Sequence, residues 1–256
     1  MPDNSHRDPA LAIVLAAGKG TRMKSDLPKV LVPVTGRPMV RYVIDALGAA
    51  GIERIVVVIG YRAELVRAEL AGEPLVSFVE QREQLGTGHA VMMCRDQLAA
   101  HRGPVLIVAG DSPMLQASSI RRLLDEFYAG NCACLLGTVE REDPTGFGRI
   151  VRDADGNFTG IVEEKDATDA QRAIREVNVS TYVFDAAELL TALEGLTDQN
   201  ALGEYYITDC PAILLAAGKR VQALKVLQPC EALSINSSDE LAVVERELER
   251  LGKSPS

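Results

Sequence analysis

Directly after its first apolar run the chain concentrates residues that handle phosphate. The segment Ala17-Gly18-Lys19-Gly20-Thr21-Arg22-Met23-Lys24-Ser25-Asp26-Leu27-Pro28-Lys29 carries two glycines and four cations, Lys19, Arg22, Lys24 and Lys29. Glycines let the backbone come close to a ligand and aim N–H groups at anionic oxygens. Arginine grips phosphate through two parallel hydrogen bonds, and lysine adds a compact charge. Together they suit a triphosphate. Two common glycine-rich fingerprints do not fit. A dinucleotide loop needs a third glycine where Met23 stands, and the Gly-Lys-Ser/Thr spacing of a P-loop is absent. An exposed basic turn is the bland alternative. Gly110-Asp111-Ser112-Pro113 is a second candidate: a carboxylate at a strand end suits a hard cation, although the same residues also make a good turn.

The elements around these loops alternate. Residues 11–16, 55–59, 75–79 and 104–109 read as strands. Residues 39–50, 63–71 and 90–100 read as helices, the first with Pro38 near its start and Gly51 after its end. Continuous apolar strands between helices predict a parallel sheet covered on both faces. Such sheets bind ligands beyond the carboxyl ends of their strands, where both candidate loops fall. Further on, residues 132–139, 148–152, 159–162, 177–184 and 221–226 read as strands, and 186–193 and 205–217 as helices. Ser237 and Glu240 have capping-box spacing at the head of a last helix, whose Glu- and Arg-rich surface reads as solvated.

Composition narrows the classes. The chain has 256 residues and a formal net charge of -9, which argues against non-specific nucleic-acid binding but not against a small phosphorylated substrate. No apolar run approaches the roughly 20 residues that span a bilayer. The five scattered cysteines read as reduced thiols, and the cytoplasm is the expected location. Residues 1–10 read as a flexible tail and 11–256 as one domain.

Several motifs follow the glycine-rich loop in order. They are Gln81-Arg82-Glu83-Gln84-Leu85-Gly86-Thr87-Gly88-His89-Ala90, Gly110-Asp111-Ser112-Pro113, Pro144-Thr145-Gly146-Phe147-Gly148-Arg149-Ile150, Ile161-Val162-Glu163-Glu164-Lys165-Asp166-Ala167 and Gly203-Glu204-Tyr205-Tyr206-Ile207-Thr208-Asp209. With the loop, this series resembles the sugar-nucleotide pyrophosphorylases. In particular it is similar to the uridylyltransferase domain of the bacterial bifunctional N-acetylglucosamine-1-phosphate uridylyltransferase/glucosamine-1-phosphate acetyltransferase, over nearly the whole chain. The resemblance implies an α/β, Rossmann-like nucleotidyltransferase fold: a mostly parallel central sheet, helices on both faces, and a smaller sugar-binding lobe. It implies UTP and N-acetylglucosamine 1-phosphate as substrates and Mg2+ as cofactor. Asp111 and Asn236 become the metal ligands. Gln81, Gln84, Gly86 and Thr87 match the part that reads uracil, where an amide offers the donor and acceptor needed. Thr87 also reads as the cap of the following helix. Ala17 and Gly18, with Gly20 and Thr21 of the same loop, hold the nucleotide. Gly148, Glu163, Asn178 and Tyr206 match the sugar side. Arg22 and Lys29 are expected to stabilise charge developing as the sugar phosphate attacks the α-phosphorus. His89 reads as packing at a helix start.

The chain departs from the family at Ala109 and Phe147, both common tyrosine positions, and at Val179-Ser180, where Thr-Gly is frequent. These changes bear on the choice of sugar. No hexapeptide repeat follows, so acetyltransferase activity and the trimer of a β-helix are not expected. A UDP-glucose or dTDP-glucose type nucleotidyltransferase and a non-catalytic nucleotide-binding module are the rival readings.

Overall fold

In chain order the first half contains β1 (Leu11–Ala16), β2 (Pro33–Val34), β3 (Arg37–Pro38), α1 (Met39–Ala49), β4 (Arg54–Ile59), α2 (Ala63–Glu69), β5 (Val76–Glu80), α3 (Thr87–Met92), α4 (Arg95–Ala99) and β6 (Pro104–Ala109). The second half contains α5 (Ala117–Gly130), β7 (Cys134–Glu140), β8 (Gly148–Arg152), β9 (Phe158–Val162), α6 (Asp169–Arg172), β10 (Glu176–Asp185), α7 (Ala186–Glu194), α8 (Cys210–Ala216), β11 (Val221–Lys225) and α9 (Ser238–Arg250). The computed structural model describes residues 8–20, 26–235 and 238–252.

The apolar runs lie in the middle of one sheet, ordered β11-β7-β10-β6-β1-β4-β5. Along it β1 pairs in parallel with β4 and β6, β4 with β5, and β7 with β11. Only β10 runs the other way, antiparallel to both β6 and β7. The sheet is therefore mostly parallel, as expected. Successive side chains of a strand face opposite sides, so a uniformly apolar strand feeds two cores. Ala12, Val14 and Ala16 of β1 join Val43 and Leu47 of α1 and Leu123 and Phe127 of α5 on one face. Leu11 and Ile13 join Val91, Leu98 of α4, Leu189 of α7 and Leu214 of α8 on the other. A smaller cluster puts Val244 and Leu248 of α9 against Val34, Met39 and Met114.

The smaller lobe grows out of β10. Next to β6, β10 pairs up to Thr181 opposite Val108; beyond that Asn178 and Val177 pair with Gly148 and Arg149 of β8. The β8–β9 hairpin thus takes the place of β6 past its end. At the changeover β10 bulges against β7, between Asn178 and Tyr182.

Two expected helices are resolved differently. Residues 90–100 divide into α3 and α4, with the chain turning at buried Cys94. Residues 205–217 open with a 3-10 turn, Ile207–Asp209, before α8, because the backbone at 205 and 207 is bonded elsewhere. The expected capping box at Ser237 lies outside the described residues. Among the described residues no helix is long and apolar enough to cross a membrane.

Candidate functional site

The strands β4 and β5 lie on one side of β1 and β6 on the other, so the winding reverses between β1 and β6. A crevice opens at such a reversal, outside the carboxyl ends of the strands. Residues 17–20 leave β1 there, and residues 110–113 leave β6. Two adjoining cavities occupy the edge, of about 290 Å3 and 270 Å3, and Ala109, Asp111 and Ser180 border both.

The first cavity is lined by Ala17, Gly18, Lys29, Gln81, Gln84, Gly86 and Thr87, the expected nucleotide side. Gly20 is not among its lining residues. It has φ +67, and a Cβ there would stand 2.6 Å from the Cβ of Lys29, so glycine lets Lys29 close onto the loop. The neighbouring turn steadies the loop's edges: Tyr61 N–H donates to the Ala17 carbonyl at 3.0 Å, and Arg62 donates to the Asp26 carbonyl at 2.9 Å. Thr21 and Arg22, expected to bind nucleotide and to catalyse, lie outside the described residues.

The loop of residues 85–88, expected to face the base, is clamped from a distant part of the chain. Gly88 N–H donates to the Tyr205 carbonyl at 2.7 Å, and Tyr205 N–H to the Leu85 carbonyl at 2.8 Å. The Thr87 hydroxyl accepts from Ile207 N–H at 3.1 Å. Thr87 therefore does not cap α3; Gly86 holds the cap position with φ 109, and the turn it makes carries Thr87 into the helix. Gln81 is buried, and its amide nitrogen is 3.0 Å from both the Gly86 carbonyl and His89 Nδ1. Gln84 donates to the Gln81 carbonyl at 3.0 Å. These bonds give both glutamines, and His89, a part in holding the loop's shape.

Gly148, Glu163 and Asn178, expected on the sugar side, line the second cavity together. Burial lifts the Glu163 carboxyl above the usual range; a Thr208 hydrogen bond opposes this, and the charges of Asp209 and Asp166 add to it. Asn178 donates to the buried Tyr182 hydroxyl at 2.6 Å. Tyr206 does not line either cavity. Its phenol is pushed up to about 12, first by burial and then by Asp166, Glu204 and Glu163.

Asp111 sits at the seam, with Oδ2 2.7 Å from Lys29 Nζ and both side chains partly exposed. Among the described residues no three His, Cys, Asp or Glu side chains cluster as a metal centre. Asp111 is a carboxylate that a divalent cation could share with water and substrate oxygens. Asn236, the second expected ligand, lies outside the described residues.

Two supporting residues escaped the sequence reading. Glu231 is buried, and its carboxylate accepts from Gln116 N–H at 3.0 Å, the Ser119 hydroxyl at 2.5 Å and Gln228 N–H at 2.7 Å. It ties the segment leading to Asn236 to the head of α5, beside the Asp111 loop. Arg149 is buried beside the second cavity, 2.8 Å from Glu164, and also donates to the carbonyls of Phe147 and Arg172. Glu164 in turn accepts from Gly146 N–H at 3.0 Å. The Gln228–Glu231 spacing was a visible signal; for Arg149 the signal was only a charge amid apolar neighbours.

Residues 12–202 match the family model of the MobA-like NTP transferase domain. The chain is 47% identical to the Bifunctional protein GlmU of Pelotomaculum thermopropionicum over 239 residues, 93% of this chain and 52% of that protein. It is 46% identical to the protein of that name from Streptococcus agalactiae over 237 residues, 92% of this chain and 51% of the other. Against that from Geobacillus sp. the identity is 44% over 235 residues, again 92% and 51%. The chain thus spans about half the length of the curated relatives it matches. Nucleotidyltransferases of this kind generally use a divalent metal.

Proposed function

The chain belongs to the MobA-like NTP transferase family, and from that premise we propose that it is a sugar-1-phosphate uridylyltransferase. The reaction joins UTP and N-acetyl-α-D-glucosamine 1-phosphate to give UDP-N-acetylglucosamine and diphosphate. The observation that carries the reading is the pair of adjoining cavities sharing Asp111: one is lined by the nucleotide-side motifs and the other by the sugar-side motifs. A nucleoside triphosphate and a sugar 1-phosphate bound side by side would meet at that carboxylate.

A phosphate oxygen of the sugar 1-phosphate attacks the α-phosphorus in line, and diphosphate leaves. The nucleophile is already anionic, so the protein needs no general base; it positions and neutralises charge. Lys29, at the seam, supplies a cation to the phosphates, and Arg22 is assigned the same task from its place in the loop. Mg2+, held by Asp111 and Asn236, would supply charge neutralisation and a template for the phosphates. Gln84 and the loop shaped by Gln81, Gly86 and Thr87 face the base. Glu163 and Asn178 accept and donate hydrogen bonds to sugar hydroxyls and the acetamido group. Tyr206 keeps a proposed place near the sugar through Glu163, whose charge it senses. Residues 11–256 act as one unit in this reading, and buried Cys94, Cys132, Cys134 and Cys210 fit a reducing cytoplasm.

A second sugar is favoured by one observation. Ala109, Phe147, Val179 and Ser180, where the chain departs from the family's common residues, all line the sugar-side cavity. Diphosphate release with Mg2+, measured for UTP against dTTP and for N-acetylglucosamine 1-phosphate against glucose 1-phosphate and glucosamine 1-phosphate, decides between the readings. Preference for UTP with N-acetylglucosamine 1-phosphate supports the proposal. Turnover with only another pair reassigns the sugar, and no turnover with any pair removes the enzyme reading.

A further inference from the structure

Ser180 holds a backbone conformation that a serine has little reason to adopt. Its φ is 56°, in the left-handed region, and it is one of four non-glycine residues there among those described. An L-residue with a Cβ pays for this conformation, and such strain persists only where the surroundings impose it. The surroundings here are the seam of the sheet. On one side of Ser180, β10 pairs with β6; on the other it has passed to β8, and the bulge against β7 spans the same residues. Ser180 N–H donates to Asn178 Oδ1 at 3.3 Å, and Asn178 donates to the buried Tyr182 hydroxyl at 2.6 Å. The bulge is therefore pinned by side chains above and below it. With Ala109 and Asp111, Ser180 is one of the residues that border both cavities. Ala109 has no polar side-chain atom, and Asp111 is an acceptor facing Lys29. Ser180 is thus the member of the three with a neutral hydroxyl: its oxygen meets the buried Tyr182 hydroxyl, which can donate to it, and its proton is then left to donate to an anionic oxygen.

We propose that Ser180 is a substrate-contacting residue, held in strained backbone so that its hydroxyl donates a hydrogen bond to the phosphate that joins the two halves of the substrate pair. The inference rests on the functional reading above and names the group that reads the sugar phosphate at the seam. Strain and contact are separable by substitution. Ser180→Ala keeps the Cβ and the strain but removes the hydroxyl. Ser180→Gly removes both.

The experiment measures diphosphate release and thermal unfolding for the wild type, Ser180→Ala and Ser180→Gly, and the affinity of each for UDP-N-acetylglucosamine by calorimetry. Both variants should raise KM for the sugar 1-phosphate roughly tenfold, the worth of one hydrogen bond to a charged group, and weaken the product to a similar degree. Ser180→Gly alone should raise the unfolding midpoint, because glycine adopts this conformation without the Cβ penalty. Wild-type KM and product affinity in Ser180→Ala overturn the contact while leaving the uridylyltransferase reading in place. Recovery of wild-type KM in Ser180→Gly also overturns it, because the backbone rather than the hydroxyl would then set affinity. Absence of turnover in the wild type with every sugar 1-phosphate overturns the reading on which the inference stands.

Discussion

Replacing Arg149 by methionine tests whether the sugar-side wall is held from beneath. The guanidinium is 2% exposed, pairs with Glu164 at 2.8 Å, and reaches the carbonyls of Phe147 and Arg172. Methionine fills much of the volume but satisfies none of these acceptors. Removing one partner of a buried ion pair costs about 3–5 kcal/mol, and each buried carbonyl left without a donor about 1–3 kcal/mol. These figures overlap because they count the same desolvation, and Glu164, 30% exposed, regains water. A net loss of about 3–4 kcal/mol is expected, or roughly 6–16 °C in unfolding midpoint for a domain of this size. The kinetic effect should be one-sided. Glu164 holds Gly146 N–H at 3.0 Å and Arg149 holds the Phe147 carbonyl, and Gly146 and Phe147 both line the sugar-side cavity. KM for the sugar 1-phosphate should rise while KM for UTP stays near that of the wild type. Circular dichroism melts and initial-rate kinetics measure both. In the Arg149→Met background, Glu164→Gln should cost less than it does alone, because the pair has already been broken. A midpoint shift below about 2 °C, or an equal rise in both KM values, would refute the argument.

Three other perturbations probe different parts. Glu163→Gln should stabilise the protein at neutral pH: burial raises this carboxyl above the usual carboxylate range, so its ionisation opposes folding above the raised folded value. The advantage should vanish as pH falls below the unfolded value, while sugar KM rises; melts from pH 4 to 8 would show an unchanged gap if the reasoning were wrong. Lys29→Ala should lower kcat far more than it lowers the unfolding midpoint, and near-wild-type turnover would remove Lys29 from the phosphates. Gly86→Ala should raise KM for UTP and lower stability by at least about 1–3 kcal/mol, since a Cβ there would lie 2.5 Å from the Tyr205 carbonyl oxygen; unaltered urea unfolding would show that the clamp yields freely.

Much of the parallel half of the fold was legible because its strands are uniformly apolar and its loops carry glycine and charge. Leu11–Ala16, Ile55–Ile59 and Pro104–Ala109 needed no partner to be recognised. The helix Ala117–Gly130 was not among the expected elements, although Ile120, Leu123, Leu124 and Phe127 are buried at helical spacing; it carries no catalytic motif to draw attention. Gly148, Glu163 and Asn178 were assigned to the sugar side from aligned order, and they do share one cavity. What the sequence could not disclose was long-range. Nothing local in Gly203-Glu204-Tyr205-Tyr206 says that its backbone clamps the 85–88 loop. Nothing in Val179-Ser180 says that a strand changes partners there, because register and bulges are settled by neighbours distant in sequence. Tyr206, matched to the sugar side, stands next to that clamp and outside the lining of both cavities.

That clamp has a bearing on how the protein is made. The loop of residues 85–88 is clamped only when residues 205–207 arrive, 120 positions after Thr87 in the bond to Ile207. Thr35, just past the glycine-rich loop, has its N–H held by Glu245, 210 positions on. Contacts this far apart close late, because a long stretch of chain must be ordered before they form. During synthesis the nascent chain would hold its nucleotide-side strands well before it held a competent pocket. Ligand would then begin to stabilise the nascent protein only once the chain through residues 205–207 had left the ribosome.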